Sequence, residues 1–402
     1  MRTSVKILIL LAILSSLLSF VKFSPCEKTN WSTPGQYIHA CYSDLPALYG
    51  ARGLDEHKWA YAGSERAIEY PVITGVVMYA TSWLVNSPIA YFNFNSFLLA
   101  LLFIGLVLLV AYMRPENKYL LPIAPAMVAS LYINWDLWAI ISMVLAIFWF
   151  DRQEYLWSSL ALGISISTKF MPVFLLLSIA FILWRRNEIK DLIKYIVITA
   201  STWLVVNLPV ALTTPEGWWR FYKLNLERGS DWGSLWYALD LLGINLTNIN
   251  FLALMVLLIG ITTIAIYLFE LKVSPSLASV GFILLATVMV ASKVYSPQYV
   301  LWLTPLAIIA LSHKNDLHAY WIWQSSEIIY HIAIWQHLAL FTGARFGLPD
   351  GAYAFLTLAR IAATLYFIAI LARRNLRNSL TGGRNPHSRL FDFLFESSKS
   401  YP

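Results

Sequence analysis

An all-α, polytopic membrane protein is the fold class that the sequence predicts, and three observations predict it. Of 402 residues, 58% are hydrophobic and only 13% are charged, more apolar surface than a water-soluble chain of this length can bury. The apolar residues fall in long unbroken runs such as 251–269, without the alternation that a membrane β-barrel requires. Much of the polar sequence gathers in one early stretch, 23–95, and in a second at 213–248.

The first segment, 1–22, carries Arg2 and Lys6 ahead of an apolar run with no small-x-small cleavage site after it, so it is read as a retained first transmembrane helix. Eleven further segments follow, at 96–113, 119–133, 137–150, 153–168, 170–184, 191–211, 249–270, 276–291, 298–312, 318–340 and 351–372. The expectation is a bundle of about 12 transmembrane helices with a long first extracytoplasmic loop.

One run, 71–85, decides the topology. Counted as a span, it puts Arg185, Arg186, Lys190 and Lys194 opposite the N-terminus. Left out, it gathers Arg2, Lys6, Arg114, Lys118, Arg152, those four residues, Lys272, Lys314, Arg373, Arg374 and Arg377 on one side. The positive-inside rule selects the second arrangement. Both termini are then cytoplasmic, and 71–85 is a surface helix on the outer leaflet, opened by Pro71. The chain divides into the first helix, 1–22; an extracytoplasmic catalytic loop, 23–95; a bundle, 96–372, with an outer loop at 213–248; and a basic cytoplasmic tail, 373–402. Tryptophans and tyrosines in 213–248 suit the headgroup zone. The net charge of +7 follows from the same bias and points to a lipid bilayer, with no nucleic acid as partner. Both cysteines, Cys26 and Cys41, fall in the first loop. On an oxidising face the natural reading is a disulfide.

Two carboxylates in the first loop are candidates for catalysis. Asp44, in Tyr42-Ser43-Asp44-Leu45-Pro46, is a general base tuned by apolar neighbours, or else Ser43 or Asp44 caps a helix starting at Leu45-Pro46. Glu69 is a second active-site carboxylate, or a favourable charge at the start of the surface helix. The cluster Asp55-Glu56-His57-Lys58 reads as an exposed loop face.

Lys169 divides an apolar stretch into halves of 16 and 15 residues, 153–168 and 170–184. Each spans about 24 Å at 1.5 Å per residue, short of a ~30 Å hydrocarbon core. Two short helices meeting at Lys169 leave its ammonium below the outer surface, where it needs an anionic partner such as a lipid phosphate, unless it snorkels to the interface. Asp136, in Asn134-Trp135-Asp136, is a turn residue or part of the same cavity. Lys293, Arg345 and Arg228, with Lys169, compose a cationic cradle for a phosphate leaving group. Glu327 and His331 share a helical face at four-residue spacing, with His337 beyond. The expectation there is a polar cavity lining or a hydrogen-bonded pair, ahead of a metal site.

Taken in order, these features resemble the GT-C class of membrane glycosyltransferases, and most closely the mannosyltransferase-like proteins of glycosyltransferase family 87. The resemblance rests on Tyr42-Ser43-Asp44-Leu45-Pro46, Tyr49-Gly50-Ala51-Arg52-Gly53-Leu54, Glu69-Tyr70-Pro71-Val72, Asn134-Trp135-Asp136 and Thr168-Lys169-Phe170. It continues through Glu227-Arg228-Gly229-Ser230-Asp231-Trp232-Gly233-Ser234 and Ser296-Pro297-Gln298-Tyr299, and it excludes the tail. It implies a polyprenyl-phosphate-linked sugar donor, a lipid or glycan acceptor, a catalytic aspartate at Asp44 and an active site on the outer face of the cell membrane. Family members carry late-helix histidines where this chain has Ser296-Pro297-Gln298-Tyr299. Gln298 bonds a substrate without shuttling a proton, which leaves the sugar and acceptor open.

In the mechanism so implied, Asp44 takes a proton from the acceptor hydroxyl, and polyprenyl phosphate departs toward Lys169 and Arg228 with inversion. It calls for no cofactor and no metal. The rival reading is a transporter or flippase of a lipid-linked glycan. The asymmetric first loop, the lack of an internal repeat and the scarcity of charges deep in the spans weigh against it. A scaffold for envelope assembly would tolerate the loss of Asp44 altogether.

Overall fold

The computed structural model describes residues 2–380. Positions 381–402, most of the expected basic tail, lie outside the described residues. Helices and turns are joined by irregular segments, with no strand among the described residues. After α1 (Arg2–Val21), the early polar stretch holds three short helices: α2 (Ser24–Lys28), α3 (Gly35–Ile38) and α4 (Asp44–Ala51). It also holds α5 (Val72–Ser82), which Pro71 opens.

Helix α6 (Pro88–Met113) starts eight residues before the segment at 96–113, because Ser87 accepts from Ala90 N at 3.2 Å and Pro88 occupies the first turn. The segment at 119–133 is not one helix. Pro125 divides it into α7 (Leu120–Ile123) and α8 (Pro125–Ser130): it has no N–H to continue the ladder, and Ala124 before it is extended. Helices α9 (Asp136–Phe150) and α10 (Tyr155–Thr168) follow, and Pro172 sits in a 3-10 turn before α11 (Leu175–Arg185).

Then come α12 (Ile189–Thr213) and, within 213–248, α13 (Pro215–Glu227) and α14 (Leu235–Leu241). Helices α15 (Ile249–Glu270) and α16 (Leu277–Ala291) precede a 3-10 turn, Pro297–Tyr299, and α17 (Val300–Ala310). The last are α18 (Lys314–Phe341) and α19 (Asp350–Leu380), which carries helix into the region read as tail.

Among the described residues, five helical stretches are long and apolar enough to cross a membrane: Ser4–Lys28, in which α1 runs on into α2, Pro88–Met113, Ile189–Thr213, Ile249–Glu270 and Asp350–Leu380. Others are apolar but short. The 15 residues of α9 span about 22 Å at 1.5 Å per residue. Helix α10 packs between α9 and α12, α18 lies along α19, and α1 lies along α6. The outward faces of α12 and α15 expose Val205, Leu212, Ile259, Ile266 and Phe269, apolar surface that suits lipid tails and not water.

Cations cluster at one end of the bundle, on the carbonyls that helix C-termini leave unpaired. Arg114 Nε donates to Ile309 O at 2.5 Å, Arg374 Nη1 to Ala310 O at 2.6 Å, and Arg185 Nη1 to Leu268 O at 2.8 Å. The opposite end carries Asp44, Asp136, Lys169 and the turn Pro297–Tyr299.

Tyr61 locks the early loop to two helices at that opposite end. Its hydroxyl donates to Tyr70 O at 2.9 Å and its ring lies against Gly75, while its carbonyl lies against Gly217 of α13. A methyl group on Gly217 would sit 2.0 Å from Tyr61 O, whereas one on Gly229 meets nothing within 4 Å. Gly217→Ala should therefore lower the thermal midpoint of the purified protein, at a cost of about 1–3 kcal/mol. Gly229→Ala should leave it unchanged, and equal midpoints would refute the tight joint.

Candidate active site

The local sequence explains why Asp44 is available for chemistry. Ser43, in extended conformation, caps α4: its hydroxyl accepts from Leu45 N at 3.2 Å and donates to Tyr132 O at 2.7 Å. The cap is thus Ser43, and the Asp44 carboxylate is left for other partners. Asp44 N donates to Ile133 O at 2.7 Å, which pins the start of α4 to the connection between α8 and α9.

Two phenols hold that carboxylate, one on each oxygen. Tyr42 donates to Oδ1 at 2.8 Å and Tyr70 to Oδ2 at 2.9 Å. The side chain is half-buried. Burial pushes its pKa above the usual carboxylate range, while the two phenols and the charge of Lys169 pull it back down. Asp44 in turn raises Tyr42 above an ordinary phenol, and burial followed by Asp44 does the same to Tyr70. Both tyrosines therefore remain donors.

Lys169 ends α10 in extended conformation, where Thr74 of α5 donates to Thr168 O at 2.6 Å. Its ammonium lies 2.8 Å from Asp136 Oδ1 and 4.2 Å from the centre of the Tyr70 ring. The side chain is 16% exposed and that of Asp136 is 0% exposed. Asp136 begins α9, with Asn134 Oδ1 accepting from its N–H at 3.0 Å and Trp302 Nε1 donating to Oδ2 at 3.1 Å. The anionic partner that a sunken lysine needs is supplied by the chain itself, and Asp136 is more than a turn residue.

Glu69 stands next to Tyr70 and pairs with Arg52 at 2.6 Å. Its Oε2 is buried with no hydrogen-bond partner, as is Arg52 Nε. Its backbone adjoins Tyr70, and its negative charge helps to keep the phenols of Tyr42 and Tyr70 protonated.

The expected cationic cradle is not a row of free charges. The Arg228 guanidinium pairs with Asp231. Lys293 Nζ donates to Arg228 O at 2.6 Å, Asn225 O at 3.4 Å and Asn250 Oδ1 at 2.6 Å. These three acceptors match the three donors of an ammonium, so Lys293 ties the end of α13 to the start of α15. Arg345 is exposed, over the ring of Phe346. Gln298 occupies the 3-10 turn that leads into Trp302, the donor to Asp136.

Glu327 and His331, expected on one face, have separate partners. Glu327 accepts from Arg360 Nε at 2.9 Å, Tyr295 OH at 3.1 Å and Trp323 Nε1 at 3.2 Å. His331 Nε2 faces two donors, Trp335 Nε1 at 3.2 Å and Lys22 Nζ at 3.3 Å, so its ring proton sits on Nδ1, toward Ser130 Oγ at 3.3 Å. His337 Nδ1 lies 3.2 Å from Leu348 O. Cys26 and Cys41 form a disulfide with Cα atoms 6.0 Å apart, and Trp31 Nε1 donates to Cys41 O at 3.1 Å.

Sequence reasoning passed over Tyr42, Tyr70, Arg52 and Arg360 as individual contributors. Arg360 carried a signal, since a lone cation inside an apolar segment demands a carboxylate from another segment. The tyrosines carried none beyond their place beside Asp44 and Glu69.

No family model matches the chain, and no curated protein matches its sequence. Among solved structures, the chain is similar to ArnT from Cupriavidus metallidurans bound to undecaprenyl phosphate. The TM-score is 0.42 and the identity 12%, over 93% of this chain and 77% of that one.

Proposed function

We propose that this chain is a membrane glycosyltransferase with about twelve crossings, which moves a sugar from polyprenyl phosphate to a lipid or glycan acceptor on the extracytoplasmic face. Mannose is the sugar we assign, from the resemblance of its motifs to glycosyltransferase family 87. The observation that carries the reading is the Asp44 carboxylate, held by two phenols beside the Lys169–Asp136 pair. In water such a carboxylate is a weak base; half-buried, it regains affinity for a proton.

Asp44 removes the proton of the acceptor hydroxyl as its oxygen attacks the anomeric carbon. The bond to polyprenyl phosphate breaks, and the leaving phosphate gains charge that Lys169 meets with the N–H groups Asp136 does not use. Arg228 adds a more distant positive charge. A single base on the attacking face gives inversion. Glu69, bound to Arg52, shapes the acceptor side and is the second carboxylate to test.

The deciding experiment is sugar transfer from polyprenyl-phosphate-mannose to endogenous lipids and glycans in purified membranes. We expect Asp44→Asn to reduce transfer by about 10²–10⁴-fold, the span of a general base, with expression intact. Equal transfer by both proteins would remove Asp44 from the mechanism and transfer its role to Glu69. Undiminished movement of a lipid-linked glycan across vesicles, without transfer, would favour a flippase instead.

A further inference from the structure

Tyr70 has two contacts that no other side chain combines among the described residues: its hydroxyl is on the base and its ring is against the cation. We propose that Tyr70 is a positioning residue that holds Asp44 Oδ2 and the Lys169 ammonium in fixed relation, so that proton removal and leaving-group stabilisation share one scaffold. The inference rests on the functional reading above.

The geometry is specific. Tyr70 Oη lies 2.9 Å from Asp44 Oδ2, and Lys169 Nζ lies 4.2 Å from the ring centre. The ring is itself fixed. Its edge meets Trp135, with centroids 6.1 Å apart and planes at 65°, and its own carbonyl accepts from Tyr61 OH at 2.9 Å. Trp135 is anchored by a 2.8 Å bond from Nε1 to Asn95 Oδ1. A tyrosine has only two side-chain torsions, so a ring clamped at its face, edge and backbone aims its hydroxyl with little freedom.

Each oxygen of Asp44 receives one phenol and keeps a further lone pair. The acceptor hydroxyl therefore approaches a carboxylate already oriented, with no donor to displace. Replacing Tyr70 by phenylalanine keeps the ring under Lys169 and removes the donor alone. Replacing it by alanine removes both.

Every titratable or charged group facing Asp44 enters the expectation. Tyr42 and Tyr70 bond the carboxylate, and Lys169 favours its charged form while Asp136 opposes it. Tyr37 senses Asp44 from α3, and Glu69 acts on Tyr42 and Tyr70. A lost donor destabilises the carboxylate relative to the acid, so the proton is held to higher pH.

Two measurements on the full chain in nanodiscs test this. The first is an infrared pH titration of the protonated-carboxyl band that disappears in Asp44→Asn, which requires no substrate. Its midpoint should rise by roughly one pH unit in Tyr70→Phe, and an unmoved midpoint overturns the proposal. The second is transfer from polyprenyl-phosphate-mannose. Tyr70→Phe should move the acid limb of the rate profile upward and leave KM for the donor unchanged, while Tyr70→Ala should move the limb and also raise that KM. A uniform fall in rate with no moved limb and no change of KM is the signature of a merely structural tyrosine and also overturns it. Wild-type protein without transfer would defeat the functional reading, and the infrared midpoint would still decide whether Tyr70 holds Asp44.

Discussion

Arg360→Leu should be among the most destabilising single substitutions in the bundle, at about 3–5 kcal/mol, the cost of leaving one member of a buried ion pair uncompensated. Arg360 and Glu327 are 0% and 1% exposed. The guanidinium does three things at once. It pairs with Glu327 Oε2 at 2.9 Å, donates to Tyr295 O at 2.6 Å and to Ser296 O at 3.1 Å, and stacks between two rings. Those rings are Tyr295 and Tyr330, with centroids 3.5 Å and 4.1 Å from the guanidinium carbon. Without it, Glu327 keeps only the donors of Tyr295 and Trp323, and the buried carbonyl of Tyr295 and the half-buried one of Ser296 lose theirs.

Lysine should restore little of that stability, because an ammonium has no planar fork to match a carboxylate and two carbonyls together. The pair account makes a sharper statement. The double replacement Glu327→Met with Arg360→Leu should unfold at a higher temperature than Arg360→Leu alone, since no unpaired charge remains. Thermal midpoints of the purified variants measure both. A double variant no more stable than the single one would show that Arg360 acts through the carbonyls and not through Glu327. Transfer should fall in both variants, because the carbonyls belong to the segment entering the turn Pro297–Tyr299, beside the donor to Asp136.

What the chain disclosed in advance follows from which physical signals are local. Hydropathy runs and caps are local, so α9, α12, α15 and α16 were legible within a few residues. Proline effects are local too, yet an apolar average over 119–133 hides them, and the segment divides at Pro125. The start of α6 was obscured for the opposite reason: residues 88–95 are polar enough to read as loop, although Ser87-Pro88 is a strong helix opening.

Site chemistry divides in the same way. Asp44, Lys169 and Asp136 stood out because a charge beside apolar sequence is conspicuous by itself. Their partners did not. The bond from Tyr70 to Asp44 joins residues 26 apart and the bond from Trp302 to Asp136 residues 166 apart. Pairings of that kind are set by helix packing and have no sequence period. The same blindness made Lys293 look like a free cation, when the backbone carbonyls of α13 already engage it.

Lys169→Met should abolish transfer and also destabilise the protein, and the two effects have separable causes. The first follows if Lys169 meets the leaving phosphate; the second follows because Asp136, 0% exposed, loses the cation 2.8 Å away. Asp136→Asn in the same chain removes the stranded charge while keeping an acceptor for Trp302 Nε1. The double variant should therefore regain most of the lost thermal stability and none of the transfer. Recovery of transfer along with stability would mean that Lys169 serves only to neutralise Asp136, and the phosphate would then need Arg228 as its cation. The single Asp136→Asn variant completes the cycle. It frees the ammonium from its carboxylate, so it should bind polyprenyl phosphate more tightly than wild type and release product more slowly, lowering kcat together with KM.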